Sequence, residues 1–184
     1  DLSLELELDF GAVEIACGNI DSDQNTEIVF SSGEVFEFSA GSLISEWKFK
    51  DFMYGIVKLR DVDDDGMDEI ISASDSIYVY DADIRQLKFK VDTDNNVGLL
   101  ILADTDGDGS GEIIYERYSN WENSLVCLSD NSGEVLWQMN IDASQVGVAN
   151  TDNQGNKELI ITTGSNTTGP DYITIYDIET FEQK

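Results

Sequence analysis

One nine-residue pattern occurs four times at nearly even spacing, at residues 19–27, 61–69, 104–112 and 150–158. The starts lie 42, 43 and 46 residues apart. Glu closes every copy, and an apolar pair follows each: Ile28-Val29, Ile70-Ile71, Ile113-Ile114 and Leu159-Ile160. A repeat of this period means that each unit is one supersecondary element, which buries its apolar faces against neighbouring units.

The third copy, Asp104-Thr105-Asp106-Gly107-Asp108-Gly109-Ser110-Gly111-Glu112, shows the pattern most fully. Acids stand at positions 1, 3, 5 and 9, and glycine stands at 6. A tightly curled loop of this kind aims alternate oxygens at one centre, and glycine permits the sharp turn. Hard cations such as Ca²⁺ take six to eight oxygens at about 2.3–2.6 Å, which carboxylates and a backbone carbonyl supply. The first six positions resemble an EF-hand loop, but an EF-hand ends in Glu at position 12 and enters a helix. Here the acid comes at 9 and Ile113-Ile114-Tyr115 follows. The pattern predicts a calcium loop between two strands.

Each period reads as four short strands. In the second unit, 55–59 leads into the loop, 69–73 leaves it, 76–80 alternates, and 86–91 closes the unit. The first unit continues with 34–38 and 45–49, and the third with 124–128 and 134–138. Period-two alternation marks half-buried strands, and Gly, Ser, Asn and Asp punctuate them. Helical periodicity is almost absent, and Pro170, the single proline, falls in a loop. Four-stranded units of 40–45 residues predict an all-β propeller of four blades. The units span about 10–50, 52–91, 95–140 and 144–184 of one domain covering 1–184. The fourth unit shows three strands (145–149, 159–163, 172–176) and stops where its fourth would begin. The alternating segment 2–8 is expected to supply that strand and close the ring, which would remove the open edge. The other expectation is an arc of a larger ring, completed by self-association or by further sequence.

The chain carries 38 acidic and 10 basic residues, a formal charge of −28. Such a charge argues against nucleic acid and anionic membrane surfaces, and bound cations would relieve its self-repulsion. There is no His, which removes the Ser-His-Asp triad, His-ligated zinc and the commonest general base. Cys17 and Cys127 have no metal spacing and lie in apolar runs, so both are expected to be buried free thiols. No apolar run reaches the ~18 residues of a membrane span. The chain starts at Asp with no signal peptide, as expected of a mature or excised piece.

The loops and their period resemble the FG-GAP repeats of integrin alpha-chain propellers and of many bacterial secreted proteins. Phe10-Gly11 matches the first element of that repeat, and Ser31-Ser32-Gly33 and Thr162-Thr163-Gly164 stand in place of the second. Gly133-Glu134-Val135-Leu136-Trp137 is similar to a packing motif of quinoprotein-type propellers. The FG-GAP resemblance implies one calcium loop per blade, with side-chain ligands at positions 1, 3, 5 and 9 and the carbonyl at 7. In the second unit these are Asp61, Asp63, Asp65, Met67 (carbonyl) and Glu69; in the third, Asp104, Asp106, Asp108, Ser110 (carbonyl) and Glu112. The first unit offers Asn19, Asp21, Asp23, Asn25 (carbonyl) and Glu27; the fourth, Asn150, Asp152, Gln154, Asn156 (carbonyl) and Glu158. Affinity follows ligand charge, so the second and third loops are expected to bind Ca²⁺ best, then the first, then the fourth. A lysine such as Lys157 could replace the ion in the weak copy. Two to four Ca²⁺ are expected in all.

Trp47 and Trp137 occupy equivalent strand positions, which predicts packing between blades rather than a sugar-stacking surface. Residues 116–123 are an insertion relative to the other units, and Arg117, Tyr118 and Trp121 within it form the candidate ligand surface. A second insertion, 164–171, contains the sequon Asn166-Thr167-Thr168. Glycosidase chemistry needs one defined acid pair, and the repeated acids are better explained as metal ligands. The expected function is a non-enzymatic, calcium-binding module that binds a protein or glycan ligand, with no nucleic-acid partner and no membrane insertion. Its expected location is extracellular or cell-surface, or the periplasm. The alternative is an accessory or catalytic domain of a secreted polysaccharide-degrading enzyme.

Overall fold

The computed structural model describes residues 11–23, 25–49, 55–119, 122–164 and 172–184. These form fifteen β-strands and no helix. Four antiparallel meanders follow one another along the chain. The first contains β1 (Ile15–Gly18), β2 (Glu27–Phe30), β3 (Glu34–Ser39) and β4 (Ser42–Lys48). The second contains β5 (Ile56–Arg60), β6 (Glu69–Ala73), β7 (Ser76–Asp81) and β8 (Gln86–Asp92). The third contains β9 (Leu100–Ala103), β10 (Glu112–Ser119), β11 (Glu122–Leu128) and β12 (Val135–Met139). The fourth contains β13 (Gln145–Ala149), β14 (Glu158–Thr163) and β15 (Tyr172–Asp177). A single bridge, Tyr176 to Gln183, starts a fourth strand there. The expected strand 2–8 lies outside the described residues.

The apolar pair after each Glu explains how the sheets stack. Successive strand side chains point to opposite faces. Ile70 therefore joins Val29, Val35 and Phe49 in a core between the first and second sheets. Ile71 joins Val79, Ile113 and Tyr115 in the core between the second and third. Ile114, Leu125, Leu159 and Ile161 fill the space between the third and fourth. Trp47 and Trp137 pack at the margins of these cores, Trp47 against Phe49 at 4.0 Å and Trp137 against Phe181 at 5.4 Å. This confirms the packing role expected from their equivalent positions. Gly133, at φ +70°, lets the β11–β12 turn lie on β8, where a Cβ would come within 2.7 Å of the Phe89 ring.

Among the described residues, no buried cluster joins the first sheet to the fourth, and no sheet closes on itself. No sheet of described residues packs on the outer faces of those two sheets. Ile15 is 57% exposed and Ile173 is 73% exposed. The same cause corrects the reading of the cysteines. Cys127 is buried between the third and fourth sheets, and burial pushes its thiol up to about 12. Cys17 is exposed, because it lies on the β1 face that no other sheet covers among the described residues. Both thiols are free.

One irregularity recurs in the outer hairpins. The register shifts between Val35 and Phe36, between Val79 and Tyr80, and between Cys127 and Leu128. Each shift leaves one unpaired residue on the outer strand: Glu46, Lys88 and Leu136. These are β-bulges, which bend a strand and re-aim a side chain. Tyr176 faces Leu159 as Tyr80 faces Ile70, so the Tyr176–Gln183 bridge places Lys184 at the same point of the fourth sheet.

The stacking account predicts that Ile113→Ala, at a fully buried position between two sheets, lowers the unfolding free energy by about 2–5 kcal/mol. Chemical denaturation measures this, and a loss under about 0.5 kcal/mol would contradict packing between the sheets as the source of stability.

Candidate metal centres

All four nine-residue loops join the first strand of a sheet to the second. Glu27, Glu69, Glu112 and Glu158 begin β2, β6, β10 and β14 and are 0%, 2%, 3% and 0% exposed. Each turns back to accept the N–H of position 2. The distances are 3.0 Å from Ile20, 2.9 Å from Val62, 2.6 Å from Thr105 and 2.6 Å from Thr151. The Thr105 and Thr151 hydroxyls donate to the same oxygens. The glutamate thus closes the loop.

Between these ends the acids fold the backbone around themselves. Asp21 accepts from the Asp23 N–H, Asp23 from Asn25, and Asp65 from Met67. Asp106 accepts from Asp108, Asp108 from Ser110, and Asp152 from Gln154. Positive φ recurs at position 6, in Gly66, Gly109 and Gly155, and also at position 4, in Asp64, Gly107 and Asn153. Asp, Asn and Gly are the residues that tolerate this left-handed region. The two left-handed turns bring the odd-numbered side chains to one side.

Three loops gather carboxylate oxygens within 4.8 Å of one another. The sets are Asp21, Asp23 and Glu27; Asp61, Asp63 and Glu69; and Asp104, Asp106 and Asp108. Asp65 and Glu112, both expected ligands, stand outside these tight groups, and the fourth loop gathers no such set among the described residues. In the fourth loop Asn150 instead donates its amide to the Gly155 carbonyl at 3.3 Å. Asn19 contributes its carbonyl to the next loop, accepting from the Asp68 N–H at 2.8 Å.

Lysines modify the picture. Lys88 reaches Asp63 at 2.5 Å and Glu69 at 3.1 Å. Lys184 reaches Asp152 at 3.0 Å and Glu158 at 2.5 Å, and that contact holds the Glu158 carboxyl down at about 2. Lys157 bonds Asp104 of the preceding loop, through its carboxylate at 2.8 Å and its carbonyl at 2.7 Å, and lowers its pKa. Burial pushes the carboxyls of Glu27, Glu69 and Glu112 up. The motif offered Lys157 as the replacement for the ion in the fourth loop, but Lys157 bonds Asp104 of the third. The motif did not foresee Lys88 and Lys184, whose only sequence signal is a basic residue near the start of the outer strand.

Neighbouring loops are tied in series. The Asp68 bond links the first and second loops, Arg60 donates to the Gly109 carbonyl at 2.8 Å to link the second and third, and Lys157 links the third and fourth. A cleft of about 110 Å³ lies between the last two, lined in part by Asp106, Asn156, Lys157 and Glu179.

The candidate ligand surface at the 116–123 insertion is a strand extension rather than a loop. Arg117 and Tyr118 lie on β10, paired with Ser124 and Asn123. Arg117 forms an ion pair with Asp94, and Tyr118 is 42% exposed. Trp121 and the 166–168 sequon lie outside the described residues.

No protein-family model matches the chain, and no curated protein matches it. Solved structures do. The rhamnogalacturonan lyase YesW is 14% identical, with a TM-score of 0.50 over 88% of this chain and 42% of its own. The Bacillus licheniformis rhamnogalacturonan lyase PL11 is 15% identical, with a TM-score of 0.51 over 89% and 42%. The Neurospora crassa Pan2 WD40 domain is 13% identical, with a TM-score of 0.52 over 89% and 48%. At these identities the likeness shows the fold alone: a propeller-like arrangement of sheets, as in WD40 repeats. The chain spans less than half the length of these matched chains.

Gly155 has φ +62° and open space around its Cβ position. Gly155→Ala is therefore expected to cost about 1–2 kcal/mol through backbone strain alone, while Gly155→Asn costs less. Thermal melts of the two variants measure this, and equal melting points would refute the left-handed turn at position 6.

Proposed function

We propose that the chain is a calcium-stabilised propeller module of an extracellular or cell-surface protein, and that it acts by binding a protein or glycan rather than by catalysis. The observation that carries this reading is the recurrence of three all-oxygen carboxylate clusters at equivalent loops of consecutive sheets. Hard cations take such donors, and Ca²⁺ tolerates the irregular geometry that mixed side chains impose. Asp21, Asp23 and Glu27; Asp61, Asp63 and Glu69; and Asp104, Asp106 and Asp108 are the carboxylate sets open to such ions, although Lys88 already bridges Asp63 and Glu69 of the second. Because the loops are bonded in series, an ion in one stiffens the rim shared with its neighbours. The ligand surface in this reading is the extended β10–β11 hairpin with Arg117 and Tyr118, together with Trp121.

A second reading has one specific support. Similar structures include rhamnogalacturonan lyases. In that reading the chain is part of a polysaccharide-degrading enzyme, with an acidic polysaccharide as substrate. The −28 charge speaks against a polyanion bound without intervening cations. Protein and glycan binding screens with and without EDTA, beside a rhamnogalacturonan turnover assay, separate the two. Turnover by this chain would overturn the non-enzymatic reading.

Calcium binding to the folded state alone raises stability by about 2.7 kcal/mol per site at a hundredfold excess over Kd. The melting point is expected to rise with Ca²⁺ and fall with chelator. An unchanged melting point across both would sink the calcium reading.

A further inference from the structure

In the first two sheets the bulge on the outer strand sets one residue beside the acidic loop of its own sheet, and in the fourth Lys184 stands at the equivalent point, next to the Tyr176–Gln183 bridge. In the second sheet this residue is Lys88, bonded to positions 3 and 9 of the loop. In the fourth it is Lys184, bonded to positions 3 and 9 as well. In both, an ammonium group sits between the carboxylates that a cation would bridge. In the third sheet the bulge residue is Leu136, which is exposed and brings no charge.

In the first sheet the bulge residue is an acid. Glu46 lies close enough to Asp21, Asp23 and Glu27 for their charges to act on one another. Oxygen Oε2 of Glu46 is buried without a hydrogen-bond partner among the described residues. So is Oε1 of Glu27, a residue that is 0% exposed and whose other oxygen accepts from Ile20. Arg85 is the basic residue whose charge acts on Glu46, and its guanidinium lies 5.3 Å from the centre of the Trp47 ring. Glu46 stands outside the set of three whose oxygens lie within 4.8 Å of one another, but it adds a fourth carboxylate near them, and two of the four have a buried unpaired oxygen. A buried charged oxygen left without a partner is strongly destabilising. A divalent cation supplies the missing partner to both.

We infer that the bulge residue decides which loops take an ion: the first loop holds a divalent cation with Glu46 as an extra ligand from outside the nine-residue pattern, whereas Lys88 and Lys184 fill the second and fourth. The third loop, with no lysine from its own outer strand and only Asp104 held by Lys157 of the next loop, stays available to an ion. The order of affinity expected from loop charge alone is thereby changed, because the second loop loses its place to the first. This rests on the reading that the loops take Ca²⁺.

The test is Ca²⁺ titration of the whole chain, by calorimetry and native mass spectrometry in chelator-stripped buffer with Mg²⁺ present. Two ions per chain are expected. Glu46→Gln is expected to remove one of them or to weaken it on the order of tenfold, following ligand charge. Lys88→Met and Lys184→Gln are each expected to gain one. Circular dichroism melts establish that each variant is folded, because removing either lysine leaves a buried glutamate without its ion pair. Two ions that are insensitive to Glu46→Gln would overturn the inference, as would lysine variants that gain none. Either result leaves the calcium reading standing. No Ca²⁺ bound by any variant would overturn both.

Discussion

A buried carboxylate at the foot of the second strand of every sheet is the constraint on which the rest depends. Glu27, Glu69, Glu112 and Glu158 are charged side chains placed where almost no water reaches them. Burying an ionised group is costly unless it is paired and hydrogen-bonded. One oxygen is satisfied in the same way each time, by the N–H of position 2. That bond fixes the loop ends. The second oxygen is where the units diverge. Lys88 and Lys184 answer it in two units, and in the first it has no protein partner among the described residues. A chain with this excess of acids has few lysines to spend, which makes a metal ion the economical counter-charge.

The same glutamate sets the packing. It starts the second strand, so the two residues after it point to opposite faces. Each sheet therefore offers one large aliphatic group to the sheet before it and one to the sheet after it. This explains why Ile70 and Ile71, adjacent in sequence, belong to different cores. It also explains why the first and last described sheets carry exposed apolar groups such as Ile15 and Ile173. The series of bonds between loops runs along one rim of this stack, so loop chemistry and sheet packing reinforce each other.

Much of this was legible in the sequence. The period, the Glu at position 9 and the apolar pair gave the loops, most strand positions and the four-unit division. The loop acids were legible because they recur at the same positions of a repeated nine-residue pattern, and three of the loops gather them into clusters. Other features depend on contacts that the sequence does not display. The bulge that places Glu46 and Lys88 is a register shift between Val35 and Phe36 or between Val79 and Tyr80, and nothing in the alternation of β8 marks it. Cys17 reads as a core residue because its strand is apolar, but among the described residues no sheet covers its face of β1. Arg117 reads as free to bind a ligand, yet Asp94 pairs with it. The left-handed residues at position 4, Asp64 and Asn153, were readable, since Asp, Asn and Gly tolerate that conformation where other residues do not.

The central claim is that the loops are cation sites whose occupancy the outer strand selects. Anomalous scattering from crystals grown with Ca²⁺ tests it most directly. The account predicts anomalous peaks within about 2.3–2.6 Å of loop carboxylate oxygens, in the first and third loops, with Glu46 among the ligands of the first. Peaks in the second and fourth loops with Lys88 and Lys184 turned away, or no peak in the first, would contradict it.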